Sequence, residues 1–190
     1  VSPYDFINTL YDTANDARFK NILSFVPPSG SDDIGYILKK YTNFQYAEPG
    51  TKTSPYINNN LVIFRLSDII LLDAEALAST GDLTGAAADL EKTESRAGIS
   101  SYNNPTDQYG MLNEIIDERG RELIGEGQWY FDLIRTEPTI GKLVLYGYPS
   151  IRVTPENKGY YWPLDMPLVF PQDNLLIQNP WWGSHTINSI

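Results

Sequence analysis

Glu118-Arg119-Gly120-Arg121-Glu122-Leu123-Ile124-Gly125-Glu126-Gly127-Gln128-Trp129-Tyr130-Phe131-Asp132-Leu133-Ile134-Arg135 carries charges at helical spacing straight into an aromatic cluster. Glu118 and Glu122 lie one turn apart, Arg119 and Glu122 stand at i,i+3, and Gly125 and Gly127 mark where the helix can end. The pattern predicts an ion-pair lattice, so Glu118, Arg119, Glu122, Glu126, Asp132 and Arg135 are read as a structural network. The competing reading is a carboxylate pair for glycoside hydrolysis, which needs two acids about 5 to 10 Å apart. Interleaved arginines lower a carboxyl pKa where general acid catalysis needs it raised, so the structural reading is preferred. Trp129, Tyr130 and Phe131 are read as core.

Upstream, residues 60–80 form the strongest helical segment, with Ile63, Leu66, Ile70, Ala74 and Leu77 on one face and Ile69, Leu72 and Ala76 widening it. Burial over much of its circumference is expected. Gly81-Asp82 stops this helix, and a second runs over 83–97 with Gly98 as its C-cap, so the two form an antiparallel hairpin. Ala86, Ala87 and Ala88 allow close approach, as in a tetratricopeptide repeat. Only one such unit is visible, and its stacking partners are expected elsewhere in the protein. A third helix is expected over 107–124, with Leu112, Ile115, Ile116 and Leu123 inward. The first third reads as a short helix from Tyr4, a turn at 15–19, a loop at 27–33, strand-like sequence over 34–45 and further loop to Asn60. Residues 146–190 have no helical period and are expected to pack as ordered loops or stay mobile.

The chain of 190 residues is 42% hydrophobic and 20% charged, the balance of one globular domain. Its net charge of -10 argues against nucleic acid or an anionic membrane as partner. No cysteine is present, which excludes thiolate catalysis and cysteine-ligated zinc. The single histidine, His185, has neither a nucleophile elbow nor a ligand set near it. Phosphate-binding glycine loops are absent, and Asp82, Asp89 and Glu91 lack calcium-loop spacing. No cofactor and no metal site are expected. No apolar run is long enough to span a membrane. The chain opens on Val inside a helix-like segment, which suggests the later part of a longer protein.

These landmarks, taken in order, resemble the carboxy-terminal part of the SusD/RagB family of surface glycan-binding lipoproteins. The resemblance rests on Arg65-Leu66-Ser67-Asp68-Ile69-Ile70-Leu71-Leu72-Asp73-Ala74-Glu75-Ala76-Leu77, then Ser95-Arg96-Ala97-Gly98, the 118–135 block, and Gln178-Asn179-Pro180. Leu66 departs from the family's usual aromatic, and Glu91 and Glu94 stand where the family commonly has Asn and Arg. The resemblance implies a mainly α, SusD-like scaffold with a tetratricopeptide-like hairpin, long ordered loops and little strand. It implies that residues 1–190 are one domain, the carboxy-terminal portion of such a protein, with the amino-terminal helical part absent. It further implies a non-enzymatic lipoprotein at the outer membrane surface, anchored through lipid outside this chain, which binds a glycan and partners a SusC-like TonB-dependent transporter. The alternatives are a tetratricopeptide-type adaptor for a protein segment and, third, a glycoside hydrolase.

The family's glycan sites carry no motif, so candidate ligand residues come from chemistry alone. Phe44, Tyr46 and Tyr56 sit in a segment rich in Asn, Thr, Pro and Gly, where an exposed ring needs a ligand or partner to cover it. A pyranose offers a C–H face to a ring and hydroxyls to amides, so these rings with Asn59 form the candidate sugar platform. Trp162, Trp181 and Trp182 are open between sealing the core, lining a glycan cleft and facing a transporter.

Overall fold

Three aspartates start three helices, each by accepting a backbone N–H that the first turn leaves unpaired. Asp16 accepts from Arg18, Asp82 from Gly85 and Asp107 from Gly110 at 2.7, 2.9 and 2.9 Å. The computed structural model describes residues 3–27, 35–48, 50–58, 60–103, 105–141, 157–173 and 175–184. The helices are α1 (Pro3–Leu10), α2 (Ala17–Ile22), α3 (Leu66–Thr80), α4 (Leu83–Arg96), α5 (Gln108–Glu122), α6 (Trp129–Arg135), α7 (Met166–Val169) and α8 (Pro180–Ser184). A π-helical turn (Glu137–Gly141) and two antiparallel ribbons complete the described elements: β1 (Leu23–Val26) with β2 (Gly35–Leu38), and β3 (Gln45–Glu48) with β4 (Thr53–Tyr56). The architecture is the mainly α one expected. The chain forms two compact units, Val1–Trp129 and Tyr130–Ile190.

In the first unit α3 and α4 make the hairpin the sequence predicts, and α5 packs across both. Gly81, at φ 93, allows the left-handed turn between them, and the following N–H of Asp82 reaches back to the carbonyl of Leu77 at 2.9 Å. Leu71, Ala74 and Ala78 of α3 meet Ala86 and Leu90 of α4 and Met111 and Ile115 of α5 in the main core. A second cluster joins Leu10, Tyr11 and Leu23 to Phe19, Tyr36, Leu38 and Ile124.

Two expectations for α3 are corrected. The helix begins at Leu66 and not at Asn60, with Arg65 as an extended N-cap residue. Its buried stripe is Asp68, Leu71, Ala74 and Ala78, while Leu66, Ile69 and Leu72 are exposed, and Ile63 with them. Apolar residues surround the helix, so periodicity alone cannot orient it. Two long-range contacts set the rotation: buried Asp68 stands 2.9 Å from Nη1 of Arg119, and the small Ala74 and Ala78 admit α4 and α5 closely. Elsewhere, the expected turn at 15–19 is in part α2, because Asp16 caps it, and the strand-like 34–45 segment pairs over 35–38 and again at Gln45, where β3 begins.

In the second unit the Gln178-Asn179-Pro180 motif acts as a clamp. The side-chain amide of Gln178 donates to the carbonyl of Leu164 and accepts from its N–H, both at 2.8 Å, and Asn179 donates to the carbonyl of Trp162 at 2.5 Å. Trp181 is buried, and Trp182 Nε1 donates to the carbonyl of Tyr161 at 2.7 Å. These two tryptophans seal local packing. Trp162 does not.

Candidate functional site

The candidate platform residues fall on and beside the β3–β4 ribbon. Residues directly opposite in an antiparallel pair share a face, and successive residues alternate. Tyr46 lies opposite Pro55, and Gln45 lies opposite Tyr56. Tyr46 and Tyr56 are therefore on opposite faces, and one sugar ring cannot stack on both. Phe44, just before β3, is 46% exposed, Tyr56 is 48% exposed and Tyr46 is half-buried. Asn59 lies outside the described residues, as does His185, while Asn58 and Asn60 are exposed. The strand β4 escaped the sequence reading because Pro55 and the small Thr53 and Ser54 give no apolar alternation.

A second aromatic surface lies in the Tyr130–Ile190 unit. Trp162 stacks on Tyr130 with centroids 4.9 Å apart and planes 16° from parallel, and Phe131 tilts against it at 6.4 Å. Tyr130 is fixed by its hydroxyl, which donates to the carbonyl of Tyr160 at 2.8 Å. Trp162 is 65% exposed and Phe131 53% exposed, so the reading of Phe131 as core is corrected. It projects from α6 because Asp132 and Leu133 occupy that helix's inward positions. The only sequence signal for the trio was the unresolved role of Trp162.

The charges of the opening stretch converge on a cation the sequence reading did not single out. Arg18 Nη1 donates to Glu118 Oε1 at 2.6 Å and to Glu122 Oε2 at 3.1 Å, while its Nη2 donates to Asp16 at 2.8 Å. Arg121 Nε donates to Glu118 at 2.8 Å, and its Nη2 donates to Glu114. Glu122 also accepts from Arg65 at 2.5 Å and from Arg96, and Glu126 accepts from Arg65 and Lys40. Arg135 pairs with Asp132 within α6 at 2.8 Å. Burial alone would raise the Glu122 pKa, but Arg65, Arg96 and Arg18 outweigh it and hold it at about 2. That is the opposite of what a general acid requires. Among the described residues no group of three His, Cys, Asp or Glu side chains could hold a metal ion, and no helix is long and apolar enough to cross a membrane.

Glu94 departs in the other direction. Burial, reinforced by Glu118 and Glu114, pushes its pKa up to about 7, against the smaller opposing effects of the Tyr102 N–H and Arg121. An acid whose folded pKa is raised opposes folding when ionised, so the penalty is absent below the unfolded value near 4.5 and complete above about 7. Glu94→Gln is therefore expected to stabilise the protein by about 1–3 kcal/mol at pH 8 and to change little at pH 4. Urea unfolding at the two pH values checks this, and an equal effect at both would remove charge as the cause.

Residues 27–182 match the SusD family. A SusD-like protein P38 of Formosa agariphila is 29% identical over 144 residues, which are 60% of this chain and 29% of that protein. A SusD superfamily protein of Bacteroides fragilis superposes with a TM-score of 0.65 at 24% identity, over 90% of this chain and 38% of that one. One from Bacteroides thetaiotaomicron gives 0.57 at 22% identity over 94% and 38%. A SusD-like carbohydrate binding protein of Bacteroides vulgatus gives 0.50 at 24% identity over 69% and 26%. The chain thus spans 29% of its curated relative and 38% of the first two solved ones.

Proposed function

The chain belongs to the SusD family, and from that premise we propose that it is the carboxy-terminal portion of a non-catalytic glycan-binding protein. In this reading the whole protein is a lipid-anchored protein at the outer membrane surface that binds an oligo- or polysaccharide and delivers it to a SusC-like TonB-dependent transporter. The observation that carries the glycan assignment is the pair of exposed rings, Phe44 and Tyr56, on a ribbon flanked by the amides of Asn58 and Asn60. Asn59 and Tyr46 complete the assigned site. The exposed apolar face of α3, with Leu66, Ile69 and Leu72, supports the fragment assignment, because a stacked repeat unit leaves such a face for its neighbour.

Binding by stacking needs no reacting group. Partial burial of a ring at ~25 cal/mol/Å² gives about 1–3 kcal/mol per residue, which suits reversible capture before transfer. The depressed pKa of Glu122 speaks against the hydrolase alternative. The exposed Trp162 favours a second contact surface for the same ligand class.

Calorimetric titration of soluble polysaccharides and their oligosaccharides into the protein tests the reading. Tyr56→Ala is expected to weaken the binding glycan about tenfold with the melting temperature unchanged, and Trp162→Ala to do so if the polymer also crosses that surface. Phe44→Ala with Tyr46→Ala probes the other face of the ribbon. Undiminished binding in all these variants would sink the stacking mechanism.

A further inference from the structure

The first unit contains a cavity of about 570 Å³ between α4, the connection that follows it and α5. Its size falls in the range of small-ligand sites, roughly 300–1,000 Å³. Ala87, Ala88 and Pro105 give it apolar surface over the buried Leu90 and Met111, and Thr84, Ser100 and Thr106 bring hydroxyls.

Glu94 also lines the cavity although it is only 2% exposed. One of its carboxyl oxygens accepts from the Tyr102 N–H at 3.3 Å, and the other makes no hydrogen bond among the described residues. The groups facing it do not supply a cation. Glu114 and Glu118 of α5 are already matched by Arg121 and Arg18, and Arg121 spends its donors on Glu114, Glu118 and the carbonyl of Leu10. The Tyr102 ring, beneath the Arg121 guanidinium at 3.7 Å, has its hydroxyl committed to Asp16. That second oxygen is not enclosed by protein and opens on the cavity, where it can take a hydrogen bond from an occupant.

We propose that this cavity is a second carbohydrate subsite that takes one or two neutral pyranose rings, with a C–H face on Ala87, Ala88 and Pro105 and a ring hydroxyl on Glu94. The assignment of a sugar rests on the glycan reading above; the cavity shares no lining residue with the ribbon, and Trp162 is not among its lining residues. A carboxyl poised near neutrality donates and accepts, which matches a hydroxyl better than it matches an ion, and the raised Glu94 pKa fits that role.

The test follows the Met111 methyl in protein labelled with ¹³C at methionine methyls, its signal identified by its loss in Met111→Leu. Glucose, galactose, mannose, xylose, rhamnose and N-acetylglucosamine are titrated singly. At least one is expected to shift the signal saturably. Ala88→Trp, which replaces an exposed lining residue and fills the cavity, is expected to weaken that binding more than about tenfold. Glu94→Leu is expected to do the same, and Glu94→Gln to stay within about threefold, since an amide also donates and accepts. Tyr56→Ala and Trp162→Ala are expected to leave the shift intact. Failure of every sugar to move Met111, or survival of the shift in Ala88→Trp, overturns the subsite even where polysaccharide binding through the aromatic faces persists. A shift produced by methylammonium and by no sugar overturns it too.

Discussion

Glu118→Ala is expected to lower stability by about 3–5 kcal/mol, because it removes a carboxylate buried between two guanidinium groups. Glu118 is fully buried, accepting from Arg18 at 2.6 Å through one oxygen and from Arg121 at 2.8 Å through the other. Arg18 and Arg121 are themselves buried, so the vacated site cannot be repaired by turning either cation into water. Lys92→Ala removes an exposed partner from the Asp89 pair and serves as the control, expected to cost less than about 1 kcal/mol. Urea unfolding of the three proteins decides the matter. A Glu118→Ala penalty no larger than that of Lys92→Ala would mean that the lattice is not a stabilising element. With the full penalty, loss of ligand binding in lattice variants reports unfolding and not a missing catalytic acid.

That lattice also marks how far the sequence could be read. Several helix ends were legible because their signals are local, with Asp82 and Asp107 capping and Gly81 and Gly98 turning, whereas the start of α3, where Arg65 makes no side-chain cap, was not. The acidic half of the lattice was legible for the same reason, since Glu118 and Glu122 are one turn apart. Its central cation was not, because Arg18 lies 100 residues from Glu118, in a segment that reads as a turn until Asp16 is recognised as a cap. The rotation of α3 was hidden likewise. An all-round apolar helix carries no internal record of which face is buried, and the deciding pair, Asp68 with Arg119, bridges α3 and α5.

The candidate binding surfaces divide along the same line. Phe44 and Tyr56 could be chosen from composition, because loop chemistry around an aromatic ring is a local feature. The separation of Tyr56 from Tyr46 follows from strand register, which depends on a β4 that the sequence conceals. The Glu94 cavity left only one trace in the sequence: an acid at a position where the resembled family commonly carries arginine. The consequence of that exchange becomes visible only when Glu114 and Glu118 are seen packed behind it.

Gly120→Ala sets two general rules against each other, and the geometry decides the sign. In a helix interior, alanine is favoured over glycine by about 1 kcal/mol, so propensity predicts stabilisation. Gly120, however, lies inside α5 against the edge of Trp129, where an added Cβ would stand 2.6 Å from Cζ3, 3.0 Å from Cη2 and 3.1 Å from Cε3. A rigid ring cannot yield at one atom, and Trp129 is backed by Phe6 at a centroid distance of 5.9 Å. Overpacking of this kind costs about 1–3 kcal/mol or more, so net destabilisation of about 2 kcal/mol is expected. The decisive comparison is the same substitution in a Trp129→Ala background. With the ring gone only propensity remains, and Gly120→Ala is expected to become stabilising by about 0.5–1 kcal/mol there. That reversal would tie the glycine to the ring that follows α5 and explain why a residue so poor for helices stands in the last turn of the most charged one. An unchanged sign in the two backgrounds would break the link.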